Sequence, residues 1–194
     1  MNKRFFLVSI GAAGLLPTLN AAAATTVVRQ PGLLTVSGTI GKGNRGAFDP
    51  ALDQMMNKHG VRFDKAHEFD APALRRLPSV TIKPTLEYDA KKHTLQGPLL
   101  VTVLEAAGVA PGSKVQLGMR AVDGYNVKIS LADARAYRMV VATQIDGRPL
   151  ALGGLGPQWA LYDADTVAAF KDKPLNERFA LCPWGLYHID VQVT

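Results

Sequence analysis

The stretch from Gln96 to Val109 is Gln-Gly-Pro-Leu-Leu-Val-Thr-Val-Leu-Glu-Ala-Ala-Gly-Val. Pro98 stands where the first turn of a helix tolerates proline, and Gly108 stands where helices commonly end. Nine residues lie between these two, which is room for at least two helical turns. We therefore predict a helix from Pro98 to Ala107, and the other elements are predicted outward from it.

Two Asp-Gly pairs downstream of this helix predict two β-hairpins. Asp-Gly is favoured in two-residue hairpin turns because both turn positions require a positive φ. The first pair, Asp123-Gly124, joins strand-like segments 115–122 and 125–131. The second pair, Asp146-Gly147, joins segments 139–145 and 148–152.

The remaining elements favour a mixed domain. Predicted strands cover 33–41, 80–86, 159–162 and 186–193, and Pro84 restricts the second of them to a sheet edge. Predicted helices run from Asp49-Pro50 to about Lys58, from Asp70 through Leu77, and from Asp165 to Lys171. Because strands and helices do not alternate strictly, the pattern predicts a mixed, mostly antiparallel α+β domain rather than a doubly wound sheet.

The first 24 residues are typical of a signal peptide. Lys3 and Arg4 precede an apolar run of 12 residues, and small side chains follow at 21–24. The run is shorter than the roughly 17 to 25 residues that cross a bilayer, so we expect no membrane span after cleavage. We expect one mature domain, 25–194, that is periplasmic or secreted. Export by the general secretory route is favoured, although residues 2–7 resemble a twin-arginine signal.

Composition and spacing argue against several classes of function. The 194-residue chain has a net charge of +6, but its basic residues are scattered, so we expect no nucleic-acid binding. Cys182 is the only cysteine, which excludes an internal disulfide. We interpret it as a small, partly buried apolar residue rather than a functional thiol. The four histidines lack zinc-site spacing, and no Gly-x-Ser-x-Gly elbow occurs.

The sequence resembles the sulfite oxidase-like molybdopterin-binding domain family. The segments that carry the resemblance are 96–109, 121–125, 156–162 and 184–191, and the resemblance as a whole extends over most of the predicted mature chain. In that family the strand before the helix carries the cysteine that binds molybdenum. The corresponding segment here, 81–88, has no cysteine, and the ligand position falls near Thr85. A threonine hydroxyl stays protonated near neutral pH and replaces a thiolate poorly.

The resemblance also indicates a pocket where the strand around Thr85, the start of the Pro98 helix and the loop 153–157 meet. Lys83 and Arg120 could hold an anionic group there, but solvated surface positions explain them equally well. Turn formation and packing explain Asp123 and Tyr125 better than a role at the pocket mouth. The candidate cofactor-binding residues are Lys83, Thr85, Arg120, Asp123, Tyr125 and Gly156. No catalytic residue and no metal ligand is assigned.

Three functions stay open at this point. The first is an exported, non-catalytic ligand-binding or accessory module that holds a small anionic ligand and no cofactor. The second is an active periplasmic molybdopterin-dependent oxidoreductase, whose metal either lacks a protein thiolate or recruits Cys182. The third is a periplasmic partner of a membrane sensor or redox protein. The threonine at position 85 favours the first.

Overall fold

The computed structural model describes residues 30–194, so the predicted signal peptide lies outside the described residues. The strands are β1 (Gly32–Gly38), β2 (Ala66–Asp70), β3 (Ser79–Ile82), β4 (Leu95–Pro98), β5 (Val115–Ala121), β6 (Asn126–Ser130), β7 (Val140–Ala142), β8 (Gln144–Ile145), β9 (Arg148–Pro149), β10 (Trp159–Leu161) and β11 (Leu186–Val193). The helices are α1 (Gln54–Lys58), α2 (Ala71–Arg76), α3 (Leu100–Ala106) and α4 (Leu131–Ala136), with a 3₁₀ turn at Leu175–Glu177.

A five-stranded sheet in the order β2-β1-β11-β5-β6 organises the fold. Its β1 and β11 pair in parallel, and every other neighbouring pair in it is antiparallel. A second, four-stranded antiparallel sheet has the order β3-β4-β8-β9, and β7 pairs with β10. The predicted mixed, mostly antiparallel α+β class is confirmed.

One face of the five-stranded sheet packs on the main hydrophobic core. Along β5 the side chains alternate, and Val115, Leu117, Met119 and Ala121 are buried. Helix α3 buries side chains of its own at helical spacing in the same core. Alternation therefore places Gln116, Gly118 and Arg120 on the opposite face of β5, where the chain between β1 and β2 covers part of the sheet.

The central helix starts later than the sequence predicts. Gly97 and Pro98 belong to β4, where Pro98 pairs with Ser79, and the helix begins at Leu100. Strand pairing keeps the chain extended through Pro98, so the predicted helix start was wrong. The predicted end is confirmed, because Gly108 has a φ of 86° and follows the last turn of α3.

Of two other predicted helices, one is replaced by turns and the other is shorter than predicted. Residues 165–171 form successive turns instead of a helix. In this segment the Asp165 carboxylate accepts a hydrogen bond from the Thr85 hydroxyl, and the ring of Phe170 stacks on that of Tyr162 with centroids 4.4 Å apart. Asp49 caps a turn through the amide of Ala51 (2.8 Å), but α1 itself is limited to Gln54–Lys58.

Other predictions made from capping and turn residues agree better with the structure. The Asp70 side chain caps α2 by accepting from the amide of Ala73 (2.7 Å). Both predicted hairpins form, although in the first turn only Gly124 has a positive φ. Strand β3 ends at Ile82, earlier than predicted, and lies at a sheet edge as Pro84 indicated. No helix within residues 30–194 combines the length and apolarity that a membrane crossing requires.

Candidate functional site

Thr85, to which the sequence resemblance assigns the metal-ligand position, is hydrogen-bonded to a carboxylate. Its hydroxyl donates to Oδ2 of Asp165 (2.8 Å), and its backbone amide donates to the same oxygen (2.9 Å). The other carboxylate oxygen of Asp165 accepts from Nη1 of Arg178 at 3.0 Å. The hydroxyl therefore keeps its proton and is occupied by a partner from a segment 80 residues away.

Cys182 does not replace the missing ligand. Its side chain is buried, and burial raises the pKa of the thiol to about 12. The sulfur is therefore a neutral thiol in the metal-free protein, enclosed by the hydrophobic core and 4% exposed. Across residues 30–194 no group of three histidine, cysteine or acidic side chains could hold a metal ion. The residues present do not fit the thiolate-ligated molybdenum site that the resemblance implies.

A cavity of about 270 Å³ opens beside the β5–β6 turn, and we call it the Tyr125 cavity. Tyr125 is fixed at its wall because its hydroxyl donates to the carbonyl of Ala180 (2.7 Å). The β5–β6 turn also supports this wall of the cavity, since the Asp123 carboxylate accepts a hydrogen bond from the amide of Tyr125 (2.9 Å). The lining residues are Glu87, Tyr88, Ala121, Asp123, Tyr125, Asn176, Phe179, Ala180, Cys182 and Trp184.

Aromatic and acidic side chains make up much of the lining of the Tyr125 cavity. Its lining includes the carboxylates of Glu87 and Asp123 and the rings of Tyr88, Tyr125 and Trp184. Among the described residues that line it, none is basic. Burial, followed by the adjacent Glu87 carboxylate, raises the pKa of the Tyr88 hydroxyl to about 12, so this side chain stays neutral. The cavity suits a neutral or positively charged group better than an anion.

Arg120 lines a different cavity, of about 340 Å³, on the opposite face of the five-stranded sheet. We call this the Arg120 cavity, and its lining residues are Gly60, Val61, Arg62, Gly118, Arg120, Asn126, Lys128, His188, Asp190 and Gln192. Burial, then the charges of Arg120 and Arg45, lower the pKa of His188 to about 4. The imidazole is therefore neutral near neutral pH, and its Nε2 lies 2.8 Å from the hydroxyl of Ser37.

The six predicted candidates thus do not surround one pocket. Asp123 and Tyr125 share the Tyr125 cavity, and Arg120 lines the other. Exposed Lys83, Thr85 and buried Gly156 line neither. The predicted pocket between the Thr85 strand, the start of the helix and the Gly156 loop also differs from the structure. At the start of α3, the amide of Leu100 donates a hydrogen bond to the carbonyl of Met139 rather than to the Gly156 loop.

Sequence reasoning missed Glu87 and Tyr88 as cavity residues, together with Arg62 and Lys128. The first two lie in the loop after Thr85, where the amide of Leu86 donates to the carbonyl of Lys91 (2.9 Å) and turns the chain back. No sequence signal indicates that loop's position. The predicted two-residue turn would have paired Met119 with Lys128 and placed Lys128 on the face opposite to Arg120. In the structure Lys128 pairs with Gly118, one residue out of that register, and so lies on the Arg120 face.

Comparison with known proteins supports the fold. No protein-family model and no curated protein matches the chain. Among solved structures, the chain is similar to the sulfane dehydrogenase SoxCD from Paracoccus pantotrophus, with a TM-score of 0.53 and 12% sequence identity. The match covers 83% of this chain and 38% of that one. At this identity the likeness shows the fold alone, and the predicted sulfite oxidase-like α+β fold is confirmed.

Proposed function

We propose that this protein is an exported, non-catalytic ligand-binding module built on the sulfite oxidase-like fold, and that the Tyr125 cavity holds a small organic cation. The observation that carries the proposal is the lining of that cavity, which combines four aromatic side chains with two carboxylates and no basic side chain among the described residues. A cation is attracted both by carboxylates and by the faces of aromatic rings.

The dimensions of the Tyr125 cavity support a small ligand. Its volume of about 270 Å³ lies just under the roughly 300 Å³ at which pockets for drug-sized molecules begin. A quaternary or primary amine with a few carbons fits this space. Part of the wall is held in place before any ligand arrives, because Tyr125 bonds to Ala180 and Trp184 is paired with Trp159. Such preorganisation reduces the entropy lost on binding.

The contacts of Thr85 support a non-catalytic role. Its hydroxyl is bonded to Asp165, and the buried Cys182 thiol is neutral. Thr85 offers no thiolate, and Cys182 is buried in the hydrophobic core. The rival function is a molybdopterin-dependent oxidoreductase, which draws on the fold shared with a sulfane dehydrogenase. Metal analysis of the exported protein separates the two.

Titration calorimetry with tetramethylammonium tests the cation site. We expect saturable binding to the native protein and a loss of about fivefold or more in Glu87→Gln, which removes one carboxylate charge from the lining. Tyr125→Leu removes an aromatic face and should weaken binding by a similar factor. The matched control is Asp172→Asn, the same charge change at a side chain that is 83% exposed and outside the lining.

Two results would overturn the cation proposal. One is the absence of saturable tetramethylammonium binding under low-salt conditions. The other is an equal loss of affinity in Glu87→Gln and Asp172→Asn, which would indicate a general charge effect. Far-ultraviolet circular dichroism of each variant verifies that the fold is kept.

A further inference from the structure

We propose that the Arg120 cavity is a second binding site, specific for a small oxyanion such as phosphate, sulfate or a carboxylate. It lies on the face of the five-stranded sheet that does not pack on the main core. The proposal depends on strand register, on a glycine at the centre of the cavity and on the unpaired state of Arg120. It is independent of the ligand proposed for the Tyr125 cavity.

The register of three strands brings the lining side chains together. Gly118 on β5 pairs with Asp190 on β11 and with Lys128 on β6. Two residues further along β5, Arg120 pairs with His188 and Asn126. Directly paired residues point to the same face of an antiparallel sheet. These side chains therefore form two adjacent rows on one surface.

Gly118 creates the space at the centre of these rows. It carries no side chain, whereas its neighbours Asp190 and Lys128 on the flanking strands do. A Cβ added at Gly118 would lie 3.7 Å from Cβ of Asp190, which is an ordinary contact. Backbone strain therefore does not require glycine here, and a larger side chain would occupy the cavity. The segment Gly60–Arg62 closes one side of it.

Arg120 is the principal anion-binding group. Its Nε is buried, and none of the residues described gives it a hydrogen-bond partner. Two other half-buried arginines are paired: Arg45 with Asp53, and Arg178 with Asp165. An unpaired buried donor of a charged group costs stability, so Arg120 is under-satisfied in the ligand-free protein. The planar guanidinium fork matches the geometry of an oxyanion.

The net charge of the cavity favours an anion. Arg62, Arg120 and Lys128 contribute three positive charges to the lining, and Asp190 contributes one negative charge. Part of the Asp190 charge is already engaged, since its Oδ2 accepts from the side-chain amide of Gln192 (2.6 Å). Arg62 is oriented by Asn57, whose Oδ1 accepts from its Nη2 at 2.7 Å. Two positive charges thus remain uncompensated within one small volume.

Titration calorimetry with inorganic phosphate in low-salt buffer tests the site. We expect saturable binding with one phosphate per chain. Arg120→Gln should weaken it at least about tenfold, the effect of losing a hydrogen bond between charged groups. Gly118→Leu, which keeps every charge but fills the cavity, should weaken phosphate binding by a similar factor. Arg75→Gln removes an exposed positive charge on α2 and should leave binding unchanged.

Asp190→Asn provides a test of opposite sign. Removing the one carboxylate of the lining should tighten phosphate binding, because the anion no longer meets like charge. The proposal is overturned if the native protein shows no saturable binding of phosphate. It is also overturned if Arg120→Gln and Arg75→Gln weaken binding equally, or if Gly118→Leu binds phosphate as the native protein does.

Discussion

Replacing Thr85 with valine removes one hydroxyl and almost no volume from the contact between the β3 loop and Asp165. The Asp165 carboxylate and its Arg178 partner are 20% and 21% exposed, so solvent screens the contact only in part. A hydrogen bond to a charged group contributes about 1.5 to 3 kcal/mol when buried, and partial exposure reduces this to about 1.5 kcal/mol here. The backbone amide of Thr85 still bonds the carboxylate in the variant.

For a domain of this size, that loss corresponds to a fall in Tm of about 3 to 6 °C. Differential scanning calorimetry measures it. The matched control is Thr166→Val, which removes a hydroxyl that donates to the backbone carbonyl of Asp163 at an exposed position (3.0 Å). We expect the control to cost less than about 0.5 kcal/mol.

A double-mutant cycle attributes the loss to the named partner. In an Asp165→Asn background the Thr85→Val change should cost less than in the native protein, because the charged acceptor is already gone. Unchanged stability of Thr85→Val would refute the reasoning. An equal cost of Thr85→Val in the two backgrounds would refute it as well, and Thr85 would then be free for another role.

Three other predictions concern titration, reactivity and packing. Unfolded histidine titrates near pH 6.5 and folded His188 near 4, so stability should fall by up to about 3 kcal/mol as pH drops through this window. Urea unfolding of His188→Gln should show a flatter pH profile, and an unchanged slope would contradict the assignment. Buried Cys182 should resist thiol reagents at pH 8 in the native protein and react fully in guanidinium, whereas rapid native labelling would contradict its burial. Gly97→Ala would force Cβ against the carbonyl of Val141 and should cost at least about 2 kcal/mol in thermal unfolding. Gly46→Ala, with open space around it, should be nearly neutral, and equal costs would refute the packing argument.

The sequence predicts elements whose cause is local. Asp146-Gly147 forms a turn because both residues adopt a positive φ, at 49° and 76°, and the pair needs no distant partner to do so. The final strand is predicted to the residue, since its composition and the glycine before it mark its limits. Asp70 caps α2 through a bond to an amide three residues away.

The sequence alone could not predict elements and contacts that depend on residues far along the chain. Pro98 stays extended because Ser79 pairs with it, and no property of the Gln96 to Val109 stretch reveals that strand. The candidate site has the same limitation. Thr85 was singled out because it stands where the resemblance places a ligand cysteine. Its hydrogen-bond partner, Asp165, is 80 residues away in the sequence. Arg120 was predicted to share a pocket with Thr85, whereas it lines a separate cavity on the face of the five-stranded sheet opposite to the core.

The central claim is that this protein carries the sulfite oxidase-like fold without molybdenum chemistry. Expression with the native N-terminus, followed by native mass spectrometry and elemental analysis of the purified protein, tests it most directly. The account predicts a chain without stoichiometric molybdenum or pterin, because Thr85 is hydrogen-bonded to Asp165 and Cys182 is buried in the hydrophobic core. One molybdenum and one pterin per chain would contradict it.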